Sequence, residues 1–127
     1  MGTTFGLSRL GQISMNARDV GRATAFYRDV LGIPHLFDVP GMAFFDLGGV
    51  RLMLATAESP EHEHAGSVLY FLVEDIEQAH ATLADRGVTF LGAPHKIADM
   101  PDHELWMVFF RDTEDNLLAL MCEKRVD

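Results

Sequence analysis

A single cysteine, Cys122, stands in the whole chain, so no intramolecular disulfide and no paired-cysteine zinc motif can form. Basic residues are scarce as well. Ten Lys and Arg against 19 Asp and Glu leave a net charge of −9. A phosphate backbone or an anionic membrane as partner needs a basic face, which this balance argues against. No hydrophobic run approaches the roughly 18 residues that would span a bilayer, and the opening MGTTFGLSRL lacks the apolar core of a signal peptide. No P-loop, dinucleotide fingerprint or serine nucleophile elbow is found. Together these absences set an expectation of a cytoplasmic protein that meets neither nucleic acid nor membrane.

What the chain has is repetition. Residues 12–32, QISMNARDVGRATAFYRDVLG, read as a strand, an aspartate-capped helix and a glycine stop, and residues 67–87, SVLYFLVEDIEQAHATLADRG, follow the same plan. Asp19 and Asp75 are 56 residues apart, as are Gln12 and Val68. A repeat of this period implies paired modules. With 127 residues, 48% of them hydrophobic, the chain suits one domain (1–127), because halves of this size are marginal alone and must share a core. The expected division is a first module over 10–56, a polar linker over 57–66 (AESPEHEHAG) and a second module over 67–125.

Within each half the periodicity predicts β-α-β-β-β. In the first, strands are expected at 10–17, 35–39, 43–47 and 50–55, the last two joined across Gly48-Gly49. Asp19 caps a helix with Val20, Ala23, Tyr27 and Leu31 along its inner stripe, ended at Gly32. In the second, strands are expected at 68–73, 88–91, 104–111 and 117–123, with a loop over 95–102. Asp75 opens the second helix, with Gln78 spaced to complete a capping box and Ile76, Ala79 and Leu83 turned inward. The fold class is therefore α+β: two tandem βαβββ modules with curved mixed sheets, each covered by one helix.

Side chains alternate across a strand, so one face of each sheet stays open. Strand one should cover Ile13 and Met15 and leave Gln12, Ser14 and Asn16 open. Strand five should cover Leu69, Phe71 and Val73 and leave Val68, Tyr70 and Leu72 open. In the closing strands Met53 matches Ala119, with Arg51 and Ala55 on the face of the first and Leu117 and Met121 on that of the second. Sheets curving away from their helices would make a cup floored by Gln12, Met53, Val68 and Ala119.

The motifs RDVGRATAFYRDVLGI, VEDIEQAHATLADRGV and FFRDTEDNLLAL resemble those of the vicinal oxygen chelate superfamily, which includes glyoxalase I, bleomycin-resistance proteins, extradiol dioxygenases and methylmalonyl-CoA epimerase. The resemblance runs over nearly all of residues 10–125 and implies a glyoxalase-like fold. The third motif departs from the family turn FxDPxGN, with Thr113 for proline and Asp115 for glycine. Metal-dependent relatives hold a divalent ion at positions that carry over to Gln12, Met53, Val68 and Ala119. Only Gln12 offers an oxygen there; thioether sulfur suits hard divalent ions poorly, and Val and Ala offer nothing. No cofactor is therefore expected at that point, although a divalent metal held elsewhere or by substituted ligands stays open.

The resemblance implies a homodimer and leaves two readings. One is a bleomycin-resistance-like module that binds a small organic molecule in a mostly apolar cup, where the acidic balance suits a cationic ligand. The other is an enzyme of lyase, isomerase or dioxygenase type acting on vicinal oxygens. Gln12, Arg51, Met53, Val68, Tyr70, Trp106 and Ala119 are the expected ligand contacts. Tyr70 offers a proton donor, a stacking surface or simply cavity filling, Arg51 an anchor for an anion or a partner in a surface ion pair, Met53 adaptable lining, and Trp106 either a cup wall or core packing. His95, His103 and Glu104 border the 95–102 loop and are the candidates for acid–base chemistry, although adjacent strand residues such as His103 and Glu104 face opposite ways. His62 and His64 mimic a metal-binding tract but read as solvated linker, His80 as packing, and Cys122 as a buried thiol.

Overall fold

The computed structural model describes residues 5–56 and 67–126. Eight strands alternate with two helices. The first sheet runs β1 (Gln12–Asn16), β4 (Val50–Ala55), β3 (Met42–Leu47), β2 (His35–Val39), in that spatial order. The second runs β5 (Leu69–Leu72), β8 (Leu117–Arg125), β7 (His103–Arg111), β6 (His95–Asp99). In each, the first strand lies parallel to the last and the remaining pairs are antiparallel. The expected tandem βαβββ architecture is thus the observed one. The linker assigned to 57–66, with His62 and His64, lies outside the described residues. Among the described residues no helix is long and apolar enough to cross a membrane.

Both helices begin as expected. Asp19 caps α1 (Val20–Ala25) by accepting from Arg22 N at 2.9 Å, and Asp75 caps α2 (Ile76–Asp85) by accepting from Gln78 N at 3.0 Å. The capping box on α2 is only half made, because the Gln78 side chain turns forward and donates to Thr82 Oγ1 instead of turning back to accept from the Asp75 backbone N–H. α1 is shorter than the 20–31 stripe suggested: from Phe26 to Val30 the backbone widens into a π-helical turn, with Leu31 N bonded to Phe26 O. Gly32 (φ 74°) and Gly87 (φ 94°) follow the helices in the left-handed region, where a Cβ is disfavoured.

The second half corrects two further expectations. Residues 88–91 do not form a strand: Phe90 alone bridges to Phe110. The third-layer strand is instead His95–Asp99, within the stretch expected to be a loop, and it pairs with β7 through a bulge between Lys96 and Ala98. It is a polar edge strand, four of whose five residues are exposed, so its sequence carries no hydrophobic alternation to betray it.

One core joins the two modules through their helix-covered faces. Tyr27, Phe45, Leu52 and Leu54 of the first merge with Ile76, Val108, Phe110 and Leu118 of the second. A polar seam crosses the same junction. Tyr27 donates to Asp112 Oδ2 at 2.7 Å, Asn116 Nδ2 donates to Asn16 O at 2.9 Å, and Arg22 Nε meets Glu114 Oε2 at 2.8 Å. Burial and the Asp112 charge push the Tyr27 phenol above its usual range, so it stays a neutral donor. The family turn therefore fastens the second module to the helix of the first.

Candidate functional site

With the helix sides packed together, each sheet turns its other face outward, and the side-chain parity expected for β1, β4, β5 and β8 holds. Met15 is buried while Gln12 and Ser14 are exposed; Leu118, Leu120 and Cys122 are buried under α2, while Tyr70 and Leu72 stand open. On the first sheet Gln12 lies across from Arg51, and Ser14 across from Met53. Gln12 Nε2 reaches Met53 Sδ at 3.8 Å, so two of the four family ligand positions do meet. On the second sheet Tyr70 pairs with Ala119, which also faces Phe109. Tyr70 and Phe109 touch edge to face at 6.1 Å, and Ala119, the small residue between them, is 0% exposed. Val68 precedes β5 and is half-buried.

The two sheets share no ladder, since β1 and β5 each end their own sheet. Gln12 with Met53, and Val68 with Ala119, therefore occupy separate open faces. The donor set at these positions comprises one amide oxygen and one thioether, which does not make a site for a hard divalent ion. Among the described residues no group of three or more His, Cys, Asp or Glu is arranged to hold a metal.

Trp106 corrects the expectation that it lines the cup. It pairs with Cys122 on the helix-covered face, packs against the core, lies 3.9 Å beneath Lys124 Nζ and donates to Glu104 Oε1 at 3.0 Å. Glu104 shares that face, with Lys96 Nζ at 4.0 Å, so the pairing of His103 with Glu104 is not made. His103 stands on the opposite, open face in a different company. Its Nδ1 lies 2.7 Å from Asp102 Oδ1 and its Nε2 3.8 Å from Glu123 Oε2, while Arg125 holds the second Asp102 oxygen at 3.0 Å. A carboxylate only accepts, so Asp102 fixes the proton on Nδ1 and turns Nε2 toward Glu123. The hydrogen bond from His103 holds the Asp102 carboxyl below its usual range. Asp102 and Glu123 were missed in sequence. Glu123 shares strand parity with Ala119 and Met121, which is the signal that places it on this face.

His95 pairs with Met107 at the edge of the second sheet, and its Nδ1 lies 3.1 Å from the Ala93 carbonyl. His80 packs on Phe90, at 4.3 Å between rings, and Cys122 is buried with Sγ toward Glu74 O. Phe37 and Phe44 were not singled out in sequence. They stack on the open face of the first sheet with centroids 4.6 Å apart, and the Arg51 guanidinium lies 5.8 Å from the Phe44 ring.

Comparison with known proteins agrees with this architecture. The uncharacterised protein YraH of Bacillus subtilis (strain 168) is 29% identical over 126 residues, covering 88% of this chain and 96% of that protein. Lactoylglutathione lyase from Agrobacterium tumefaciens superposes with a TM-score of 0.73 at 21% identity, over 92% of this chain and 95% of that one. TnmS3, an antibiotic binding protein from Streptomyces sp. CB03234, gives 0.75 at 21% identity, over 95% and 100%. At those identities the two structures speak for the fold alone. A family model matches residues 9–120, and the chain belongs to the Glyoxalase/Bleomycin resistance protein/Dioxygenase superfamily.

Proposed function

We propose that the protein binds a small organic molecule on its apolar open faces without the metal that many members of the superfamily use. The observation that carries this reading is the contrast between donors and surface. The four carried-over ligand positions supply one amide and one thioether, whereas the faces around them keep large apolar groups in the open: Phe37 is 45% exposed, Tyr70 47% and Leu72 66%. Exposed apolar clusters of this kind mark binding surfaces. The antibiotic-binding relative TnmS3 supports the same reading by analogy of fold.

A second copy of the chain completes the site in this proposal. Among the described residues β1 and β5 each leave one edge unpaired beside an open face, and an isologous pair would join such edges and enclose both faces. The cytoplasm is the proposed compartment, on the strength of one buried, unpaired cysteine. Metal analysis of the untagged protein with a thermal-shift screen against divalent ions and small aromatic compounds tests the reading, and light scattering gives the mass. The expected outcome is a dimer without stoichiometric metal that aromatic compounds stabilise. Stoichiometric zinc, nickel, manganese or iron that disappears in Gln12→Ala would sink it.

One observation favours an enzyme as the second reading. The Asp102–His103 pair is oriented like an acid–base group on the open face, with Glu123 beside Nε2. In that case the protein is a lyase, isomerase or dioxygenase-type enzyme acting at vicinal oxygens, with His103 moving the proton. Turnover that is lost in His103→Gln while ligand affinity is kept would establish it over simple binding.

A further inference from the structure

We infer that the apolar cleft between α2 and the first module is a binding site of its own, taking a small neutral aromatic molecule whose ring lies between Phe71 and Phe110. The cleft is on the helix-covered side of the second sheet, away from Tyr70 and Leu72 on the open face. It therefore does not depend on the open-face reading above.

The repeat shows what this place is shaped to hold. Phe71 is the counterpart of Met15, and Leu83 of Tyr27, each 56 residues on. Phe110 pairs with Leu118 as Phe45 pairs with Leu52, so these two phenylalanines are counterparts as well. In the first module Tyr27 lies against both partners: its ring centroid is 6.0 Å from that of Phe45, and its hydroxyl 3.9 Å from Met15 Sδ. All three are sealed, Met15 at 2% exposure and Tyr27 and Phe45 at 0%. In the second module Phe71, Leu83 and Phe110 border a solvent-open cleft of about 280 Å³ instead. A leucine stands where the other copy has its ring, and Phe71 and Leu83 are left half-buried.

The lining sets the chemistry of the guest. Phe110, Leu120 and Ile33 are buried, so the apolar floor is already in place before anything binds. Among the described residues that border the cleft none is charged, and Thr82 brings the one hydroxyl, which already accepts from Gln78 Nε2 at 3.1 Å. An ion placed there would shed water with nothing to pair it. A neutral ring sheds little and meets two phenylalanines, with which edge or offset contact is favourable. An apolar cavity of roughly 150 Å³ holds one benzene, so the space suits one ring or two fused ones.

The test titrates the full chain, its Ile, Leu and Val methyl groups isotope-labelled, with three molecules of similar size: benzyl alcohol, benzylammonium and cyclohexylmethanol. Benzyl alcohol should shift the methyls of Ile33, Val73, Leu83 and Leu120 and leave Leu72 in place. Benzylammonium should bind about tenfold or more weaker, despite the net charge of −9, because the lining offers its charge no partner. Cyclohexylmethanol should bind about threefold or more weaker, because it forgoes the aromatic contacts. Leu83→Phe puts a ring in the vacant position and should abolish the shifts at Ile33, Val73 and Leu120 while raising Tm. Shifts confined to Leu72 would place the ligand on the open face and overturn this site, leaving the open-face reading intact. Equal affinity for the ammonium or the cyclohexane compound would overturn the neutral aromatic class. Cleft methyls that move when the protein alone is diluted would show a second copy seated there, and would overturn the inference as well. So would binding that persists in a folded Leu83→Phe. The methyl map of the unaltered protein decides the site even if that variant does not fold, and no shift at the cleft with any of the three overturns it.

Discussion

The two modules descend from one plan, yet the first is closed and fastened and the second is left loose beneath its helix. Tyr27 and Leu83 hold the same place in the repeat, 56 residues apart. Tyr27 fills the space under α1 completely, at 0% exposure, and its hydroxyl is spent on Asp112 of the other module. Leu83 is smaller and has no polar tip. Beside α2 lies an apolar cleft of about 280 Å³, open to solvent and bordered by Ala79, Leu83, Phe71 and Leu120 and by Leu31 and Ile33 from the first module. Ala23 is fully buried while Ala79, its counterpart, is only half so. An aromatic residue at one repeat position thus ties the first helical segment to the closing turn of the other module, and its counterpart makes no such tie.

Truncating the two positions gives the largest expected effects and the sharpest break in the comparison. Tyr27→Ala should cost about 3–5 kcal/mol, the usual range for deleting a buried aromatic side chain. Leu83→Ala should cost about 2 kcal/mol, at the low end for leucine, because the side chain already borders empty space. Tyr27→Phe isolates the hydroxyl and should cost about 1–2 kcal/mol, since Asp112 Oδ2 keeps its bond from Asn116 Nδ2 at 2.8 Å. Urea unfolding of the three variants measures this order. If Leu83→Ala proves as damaging as Tyr27→Ala, the second helix is as firmly packed as the first and the contrast fails.

Next in size is the difference between the two closing turns. In the first module Asp46 caps its own hairpin through Gly49 N. In the second, the turn reaches across: Glu114, its carboxylate almost wholly buried, accepts from Arg22 and from Asp19 N at the start of α1. Burial works to raise the Glu114 pKa, but the bonds from Arg22, from the Asp19 amide and from Thr113, with the Arg22 charge, outweigh it and hold the group at about 2. A carboxylate whose folded pKa lies below its unfolded value stabilises fully above the unfolded value, near 4.5. That stability is lost as pH falls toward 2. Glu114→Gln should therefore lower stability at neutral pH and flatten the stability–pH curve between about 4.5 and 2. An unchanged acid limb in the variant would mean that this turn, like its counterpart, serves only itself.

The sequence revealed what repetition and alternation could carry. The doubled strand–helix unit fixed two modules, and the run Leu118, Leu120, Cys122 fixed which face of β8 lies under α2. It also held the correct place for Trp106. Phe110 pairs with Leu118, so Val108 and Trp106, counted back by twos, belong to the helix side. Reading β7 from its polar end, through Glu104, hid this. β6 was hidden for another reason: an edge strand of His, Lys and Asp between prolines buries little, and only backbone pairing makes it a strand. On the open face, the meeting of Gln12 with Met53 was legible from the repeat, because aligning the two copies puts both on one floor. Phe37, Phe44 and the Asp102–His103–Glu123 group depend on cross-strand register, which single residues do not disclose.

The smallest effect expected concerns the one position where the second module's turn is conformationally uneasy. Asp115 has φ 69°, and among the described residues it is the only non-glycine with a positive φ. Its counterparts in the first module's turn, Gly48 and Gly49, meet the same demand without a side chain. The left-handed region costs an ordinary residue roughly 1–2 kcal/mol, and Asp somewhat less. Asp115→Gly removes that strain but also loosens the unfolded chain and deletes an exposed contact with Arg111 at 3.7 Å, which is worth little. The balance should be a gain of about 0.5 kcal/mol, seen as a rise in Tm of about 2 °C. Asp115→Ala makes the discriminating control. It loses the same contact, keeps a Cβ and lacks the polar group that lets Asp tolerate this backbone, so it should lower Tm. A glycine variant less stable than the alanine variant would show that the Asp115 side chain, and not the backbone angle, is what the turn relies on.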